Sequence, residues 1–336
     1  MFDLAFIWAG LIAFAVLAYV LFDGFDLGVG ILFPLMKGKD SESGRDEMMN
    51  SVAPVWDGNE TWLILGGGGL MAAFPLAYAV VLPALYAPMT AMLLGLIFRG
   101  VAFEFRWRTA RGKFLWDWAF AGGSILAAFA QGIALGALVQ GIAVSGRGYA
   151  GGWWDWLTWF SLLTGLALVV GYALLGATWL IMKTGGAVQN FAYRLAWITG
   201  IATLALIGLV SLITPFLNPI YMTRWFAWPA ILYSAPVPLL VAAAALVLFL
   251  GLYRRRELSP FLAALVLFVL SYIGLGISFY PYMVPPSITI WSAAAPDASL
   301  AFLLVGAVVL IPLILAYTAF AYWVFRGKVD MKAGYH

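Results

Sequence analysis

AYVLFDGFDLGVGILFPL, residues 18–35, is the stretch on which the reading of this chain turns. The run is oily enough to lie in a bilayer, yet Asp23 and Asp26 stand three positions apart inside it. A second pair, Asp57 and Glu60, repeats the spacing in VWDGNETWLIL, residues 55–65. An ionised carboxylate deep in a membrane helix costs roughly 2.5–3.5 kcal/mol even on insertion scales. Such a group therefore needs a partner, a water-filled cavity or a bound proton. Positions i and i+3 share one face of a helix, so each pair projects as a unit, and the two pairs can approach one another.

Working outward, the 336 residues are 64% hydrophobic and only 10% charged, where soluble domains carry roughly 25% charge. Apolar runs of about 20 residues indicate membrane helices rather than the alternating pattern of an outer-membrane barrel. The expectation is an all-α polytopic membrane protein, a single integral membrane domain over 1–336 with short loops only. Nine spans fit the hydropathy: 4–35, 61–75, 77–98, 117–142, 157–182, 195–216, 230–252, 259–280 and 299–325. The first is long enough to project beyond the hydrocarbon or to break near Gly28 and Gly30. The second and third are divided mainly by Pro75. MFDLAFIWAG at the start lacks the basic n-region of a secretory signal and reads as the beginning of a retained helix.

The positive-inside rule gives the orientation. With the N-terminus outside and the C-terminus inside, all of the 18 Lys and Arg residues except Arg147 and Arg224 fall on the inner side. Merging the second and third spans would destroy that pattern. The outer loops GYAGGWWDWLTW and YMTRWFAWP are rich in interfacial aromatics.

Several polar residues have structural as well as functional readings. Asp57 or Asn59 can cap the second span, with Glu60 favourable in its first turn. Arg99 and Glu104 can pair with the acidic clusters, while Arg106, Arg108 and Arg111 read as a solvated inner rim. Asp117 reads as an anchor at a helix start. Gln131 and Gln140 suit either a polar path or helix–helix hydrogen bonds. There is no cysteine, and the only histidine is His336, so the spans offer neither thiolates nor the usual imidazole ligand of a haem. No nucleotide-binding glycine motif, zinc signature or nucleophilic triad stands out, and nucleic acid is not an expected partner.

Three blocks then stand in a telling order: DGFDLGVG at 23–30, NSVAPVWDGNETWL at 50–63 and FRGVAFEFR at 98–106. Together they make the chain resemble subunit II of cytochrome bd-type quinol:oxygen oxidases, and the cyanide-insensitive branch is compatible. The resemblance implies a complex of the bacterial or archaeal cytoplasmic membrane that oxidises quinol and reduces dioxygen to water. It implies that haem b and a d-type haem reside in a partner subunit I, and that the fold is two four-helix bundles plus a peripheral helix. A structural quinone, membrane lipids and a small accessory subunit are further partners it allows. It also implies a polar route from the cytoplasm, for which Asp57 is the entrance candidate, followed by Asp23, Asp26 and Glu60. Trp56, Asn59, Arg99 and Glu104 would support it. The competing functional class is a proton- or cation-coupled secondary transporter, since intramembrane carboxylates serve such proteins too; a purely structural partner is the third.

Overall fold

A computed structural model describes residues 3–38, 41–109 and 111–329. In chain order the helices are α1 (Leu4–Leu32), α2 (Ser41–Val52), α3 (Trp56–Ala73), α4 (Pro75–Ala84), α5 (Tyr86–Arg108), α6 (Lys113–Gln140) and α7 (Trp159–Lys183). They continue with α8 (Gly186–Leu217), α9 (Pro219–Phe226), α10 (Ile231–Ser234), α11 (Pro236–Tyr253), α12 (Ser259–Phe279), α13 (Ile290–Ala293) and α14 (Asp297–Val324). Two small hairpins interrupt the helices: β1 (Val144–Ser145) with β2 (Gly148–Tyr149), and β3 (Tyr282–Val284) with β4 (Ile288–Thr289). Among the described residues, eight helical segments are long and apolar enough to cross a membrane: α1, α5, α6, α7, α8, α10–α11, α12 and α14.

The sequence explains where the helices start. Asp3 accepts a hydrogen bond from the Phe6 N–H at 2.9 Å and so caps α1. Thr158 and Ser161 form a reciprocal capping box at α7. Pro75, Pro219, Pro236 and Pro260 occupy first-turn positions, where the missing N–H costs nothing.

Helix α1 is the hub, packing on α3, α6 and α7. Its first half is buried along one stripe, but residues 23–30 are enclosed on every side. Helices α1, α3, α5 and α6 form one group of four, and α7, α8, α11 and α12 form another. The α1–α7 crossing joins the two groups, and α14 lies outside them, touching α1 and α3. At that crossing Gly28 meets Gly176 so closely that a Cβ on Gly28 would stand 1.9 Å from the Tyr172 carbonyl oxygen. Small residues serve membrane helices in this way by bringing backbones into direct contact.

The end of the molecule that carries the α1 N-terminus also holds α4, α13 and both hairpins. Trp8 Nε1–H donates to the Leu300 carbonyl at 3.0 Å, Trp291 Nε1–H to Asp3 at 2.7 Å, and the Ala295 N–H to the Ala73 carbonyl at 2.8 Å. At the opposite end the chain following α14 is strapped back onto α7. Lys183 Nζ donates to the carbonyls of Phe325 and Gly327, and the Val329 N–H donates to the Lys183 carbonyl at 2.8 Å. Lys328 adds an ion pair with Glu257 at 2.7 Å.

Three sequence expectations need correction. The run 77–98 is not one helix: Pro75–Ala84 forms the separate α4, and α5 begins only at Tyr86. That run is apolar throughout, so hydropathy has no contrast with which to mark the bend at Leu85. Helix α1 does not break near Gly28 or Gly30 but runs unbroken to Leu32, because α6 and α7 pack directly against those glycines. Helix α2, a non-spanning helix between α1 and α3, was not anticipated; its apolar side, Met48, Met49 and Val52, is fully buried. Lys39, Lys332 and His336 lie outside the described residues.

Candidate functional site

The two acidic pairs meet. Helices α1 and α3 run antiparallel, with Val16 facing Gly66 and Phe22 facing Asn59, which brings residues 23–26 beside residues 57–60. Helix α5 supplies the cation. Arg99 Nη1 donates to Asp23 Oδ1 at 2.8 Å and to Glu60 Oε1 at 2.7 Å, while Nη2 stands 3.8 Å from Asp26 Oδ2. One guanidinium thus faces three carboxyl groups. The side chains of Arg99, Asp23 and Asp26 are wholly buried, whereas that of Glu60 is 23% exposed. Asp57, one turn earlier on α3, is exposed. Exposure therefore falls stepwise from Asp57 through Glu60 to the aspartates.

The surroundings are polar on one side and aromatic on the other. Asn59 Nδ2–H donates to Asp26 Oδ2 at 2.6 Å and to the Phe22 carbonyl at 3.4 Å, and Asn59 Oδ1 accepts from the Tyr322 hydroxyl at 2.9 Å. Trp56 and Phe103 stack with centroids 4.8 Å apart and form a wall, each ring within 6 Å of the Arg99 guanidinium. Among the described residues, Asp23 Oδ2, Asp26 Oδ1, Arg99 Nε and Arg99 Nη2 are buried without a protein hydrogen-bond partner. Buried polar atoms are ordinarily satisfied, so this cluster retains hydrogen-bonding capacity that the protein itself does not use.

A further chain of polar groups ends on Tyr19, one turn before Asp23 on α1. The Tyr172 hydroxyl donates to Gln131 Oε1 at 2.8 Å, and Gln131 Nε2–H donates to the Tyr19 hydroxyl at 2.8 Å. The chain ties α7, α6 and α1 together through an amide at its middle. Gln131 is thus a helix–helix hydrogen-bonding residue, as is Gln140, which accepts from Thr158 Oγ1 at 2.5 Å.

The remaining expectations divide. Asp23, Asp26, Glu60, Asn59, Trp56 and Arg99 are brought together. Glu104 is not: it points outward and faces Arg108 at 3.8 Å, an exposed i,i+4 pair. It stands five residues beyond Arg99 on α5, on a face turned away from α1 and α3. Neither Asp57 nor Asn59 caps α3: the helix starts at Trp56 with Val55 as its N-cap, so both lie inside it, and the Asn59 amide is committed to Asp26 and Tyr322. Tyr19, Tyr172 and Tyr322 were missed, since a tyrosine in an apolar span reads as packing or as an interfacial anchor.

Arg106 also departs from expectation. It is buried rather than part of a solvated rim, pairing with Asp46 on α2 and Asp117 on α6, each at 2.6 Å. Arg45 joins Asp117 at 3.2 Å, and Lys113 joins Glu42 at 2.9 Å. The hydrogen bond from Lys113 holds the Glu42 carboxyl below its ordinary range, while burial pushes that of Glu47 up. This network fastens α2 to α5 and α6. Replacing Arg106 with methionine keeps the length of the side chain but leaves Asp46 to Lys113 at 3.4 Å and Asp117 to Arg45 at 3.2 Å, a loss of about 1.5–3 kcal/mol per charged hydrogen bond removed. Faster tryptic cleavage at Arg45 in the detergent-solubilised protein is the expected result; an unchanged rate would show that the network does not hold α2 down.

The sequence profile described as cytochrome bd terminal oxidase subunit II matches residues 4–325. The cytochrome bd-I ubiquinol oxidase subunit 2 of Escherichia coli K12 is 30% identical, with 98% of this chain and 96% of the relative covered. The cytochrome bd ubiquinol oxidase subunit 2 of Bacillus subtilis is 27% identical, with 97% of each covered. Among solved structures, a chain of the bd oxidase from Geobacillus thermodenitrificans superposes with a TM-score of 0.75 at 18% identity, over 96% of this chain and 99% of that one.

Proposed function

The chain belongs to the cytochrome bd terminal oxidase subunit II family, and we propose that it supplies the cytoplasmic entrance of a proton route for oxygen reduction, running through Asp57 and Glu60 to Asp23 and Asp26. The chain is a subunit of a quinol:oxygen oxidoreductase complex and a multi-pass protein of the cytoplasmic membrane. Family membership favours this role over a secondary transporter.

One observation carries the reading: exposure declines in order from Asp57 to Glu60 to the buried aspartates, with Arg99 bridging Glu60 and Asp23. Carboxyl groups are good proton carriers because either oxygen can take up or release the proton. Three of them around one guanidinium reach local neutrality with one ionised, which leaves two able to hold protons. Arg99 keeps Asp23 and Glu60 on one donor atom, so a proton arriving at Glu60 frees that donor for Asp23. The unpartnered oxygens of Asp23 and Asp26 suit hydrogen bonding to water along the path. Trp56 and Phe103 exclude lipid from the guanidinium. In this reading the end bearing α2 and the 325–329 strap faces the cytoplasm, the N-terminus lies outside, and α3 crosses as a ninth span.

The haem chemistry belongs to a partner subunit I, which binds oxygen and carries the electrons. The spans of this chain offer no histidine or cysteine, so no redox step is assigned to its residues. A structural quinone against the apolar exterior and a small accessory subunit are compatible with this reading, and no residue is assigned to either. The exposed apolar side chains of α8, α11 and α14 suit membrane lipid.

In the assembled complex, Asp57→Ala should slow quinol-dependent oxygen consumption per haem by roughly tenfold, equivalent to about 1.4 kcal/mol on the barrier, with little loss of assembly. Full turnover in a fully assembled Asp57→Ala complex would remove Asp57 from the route.

A further inference from the structure

The carboxylate cluster is built from α1, α3 and α5, yet one of its hydrogen bonds comes from the far end of the chain. The last turn of α14 sends the Tyr322 hydroxyl to Asn59 Oδ1 at 2.9 Å. We infer that Tyr322 is a positioning residue for the proton route: its hydroxyl holds the Asn59 amide so that the NH2 group stays on Asp26. The inference rests on the proton-route reading above and assigns that route a control point outside its own helices.

Three observations support it. Asn59 is 1% exposed, so its amide has no bulk solvent to fall back on. Its Nδ2 side is spoken for by Asp26 and the Phe22 carbonyl, and among the described residues Oδ1 has Tyr322 as its one donor. A second donor stands near Asp26: among the described residues Arg99 Nη2 is buried without a hydrogen-bond partner, 3.8 Å from the same Asp26 oxygen that Asn59 serves. Without the Tyr322 hydroxyl, Asn59 Oδ1 is left buried and unsatisfied, a cost that favours rotation of the amide and loosens its NH2 group from Asp26. Tyr322 thus secures the Asn59 amide on Asp26.

The tyrosine is itself held firmly. Its ring packs among Phe22 at 5.5 Å, Phe25 at 6.4 Å and Trp179 at 6.3 Å between centroids, so α1, α7 and α14 all fix its place. Just beyond it, Lys183 grips the carbonyls of Phe325 and Gly327. Helix α14 makes few other contacts with the bundle. Its strap to α7 therefore keeps the hydroxyl on Asn59.

The test uses the whole two-subunit complex. Tyr322→Phe removes one oxygen and keeps the ring packing, so haem content and assembly should match the parent. Oxygen consumption should fall about fivefold, as expected for the loss of one buried hydrogen bond. In infrared difference spectra, the carboxyl band of Asp26, identified as the band lost in Asp26→Asn, should shift. In an Asn59→Leu background, Tyr322→Phe should change neither rate nor band, since residues acting through one another are non-additive. An unmoved Asp26 band in Tyr322→Phe, or an equal further loss of rate in the Asn59→Leu background, would overturn the inference. Full turnover in an assembled Asp26→Asn complex would instead defeat the proton-route reading, and a shifted band in Tyr322→Phe would still establish the positioning.

Discussion

Replacing Arg99 with leucine is expected to leave little assembled complex in the membrane. The guanidinium and two of its three carboxyl partners are wholly buried, and removing one partner of a buried ion pair costs about 3–5 kcal/mol because the other charge is left uncompensated. The cost here is at the upper end, since two donor atoms face three acids. Arg99→Lys should assemble better but remain impaired: an ammonium restores the charge without the planar fork that reaches Asp23, Glu60 and Asp26 together. A second substitution sharpens the test. Adding Asp23→Asn, Asp26→Asn and Glu60→Gln to Arg99→Leu removes the stranded acids and should recover assembly without recovering turnover. Native gels of solubilised membranes, with haem content as the measure, read all three. Parental assembly in Arg99→Leu alone would mean that the cluster does not stabilise the bundle.

Gly28→Ala should be almost as damaging, for a steric reason. A methyl group there would lie 1.9 Å from the Tyr172 carbonyl oxygen and 2.6 Å from the Gly176 nitrogen. Both neighbours are backbone and do not rotate away, so α1 and α7 must separate. Overpacking typically costs about 1–3 kcal/mol where side chains can shift, and this site should exceed that range. Gly10→Ala on the same helix is the control, because nothing lies within 4 Å of its Cβ position. Thermal aggregation of the purified complex should start well below the parent for Gly28→Ala and with the parent for Gly10→Ala. Coincident curves for all three would show that the α1–α7 seam yields more easily than its geometry indicates.

Much of this architecture was legible because carboxylates in an apolar run are conspicuous. The i,i+3 spacing of Asp23 with Asp26 and of Asp57 with Glu60 marked two helical faces, and Arg99 was a cation able to pair with them. Other features left no such signal. Tyr322 lies 263 positions from Asn59, and its hydroxyl is one of many on aromatic residues that suit a membrane interface equally well. Arg106 sits in a basic stretch with Arg108 and Arg111, so its burial depends on where Asp46 and Asp117 arrive from α2 and α6. Glu104 shows the reverse error: it falls within a family-like block and follows Arg99 by five residues, but the helical turn carries it to the outside. The bend at Leu85 leaves no mark in hydropathy, because the run is apolar throughout; only Pro83 and Pro88 on either side of it signal a break. Hydropathy locates membrane; the path taken through it depends on packing.

The separation of Asp23 from Arg99 has a consequence for how the protein is made. Their hydrogen bond spans 76 positions in the chain. At about 5–20 residues per second, the ribosome needs roughly 4–15 s to travel from one to the other. Throughout that interval α1 has emerged with two acidic groups and no counter-ion, and α3 then adds Glu60 to them. The insertion machinery must keep the nascent helices in a hydrated or shielded setting until α5 arrives, and α1 should be released to lipid late. Ribosome-bound intermediates truncated before Arg99 should therefore crosslink from α1 to the insertase, and those extended past α5 should lose that crosslink.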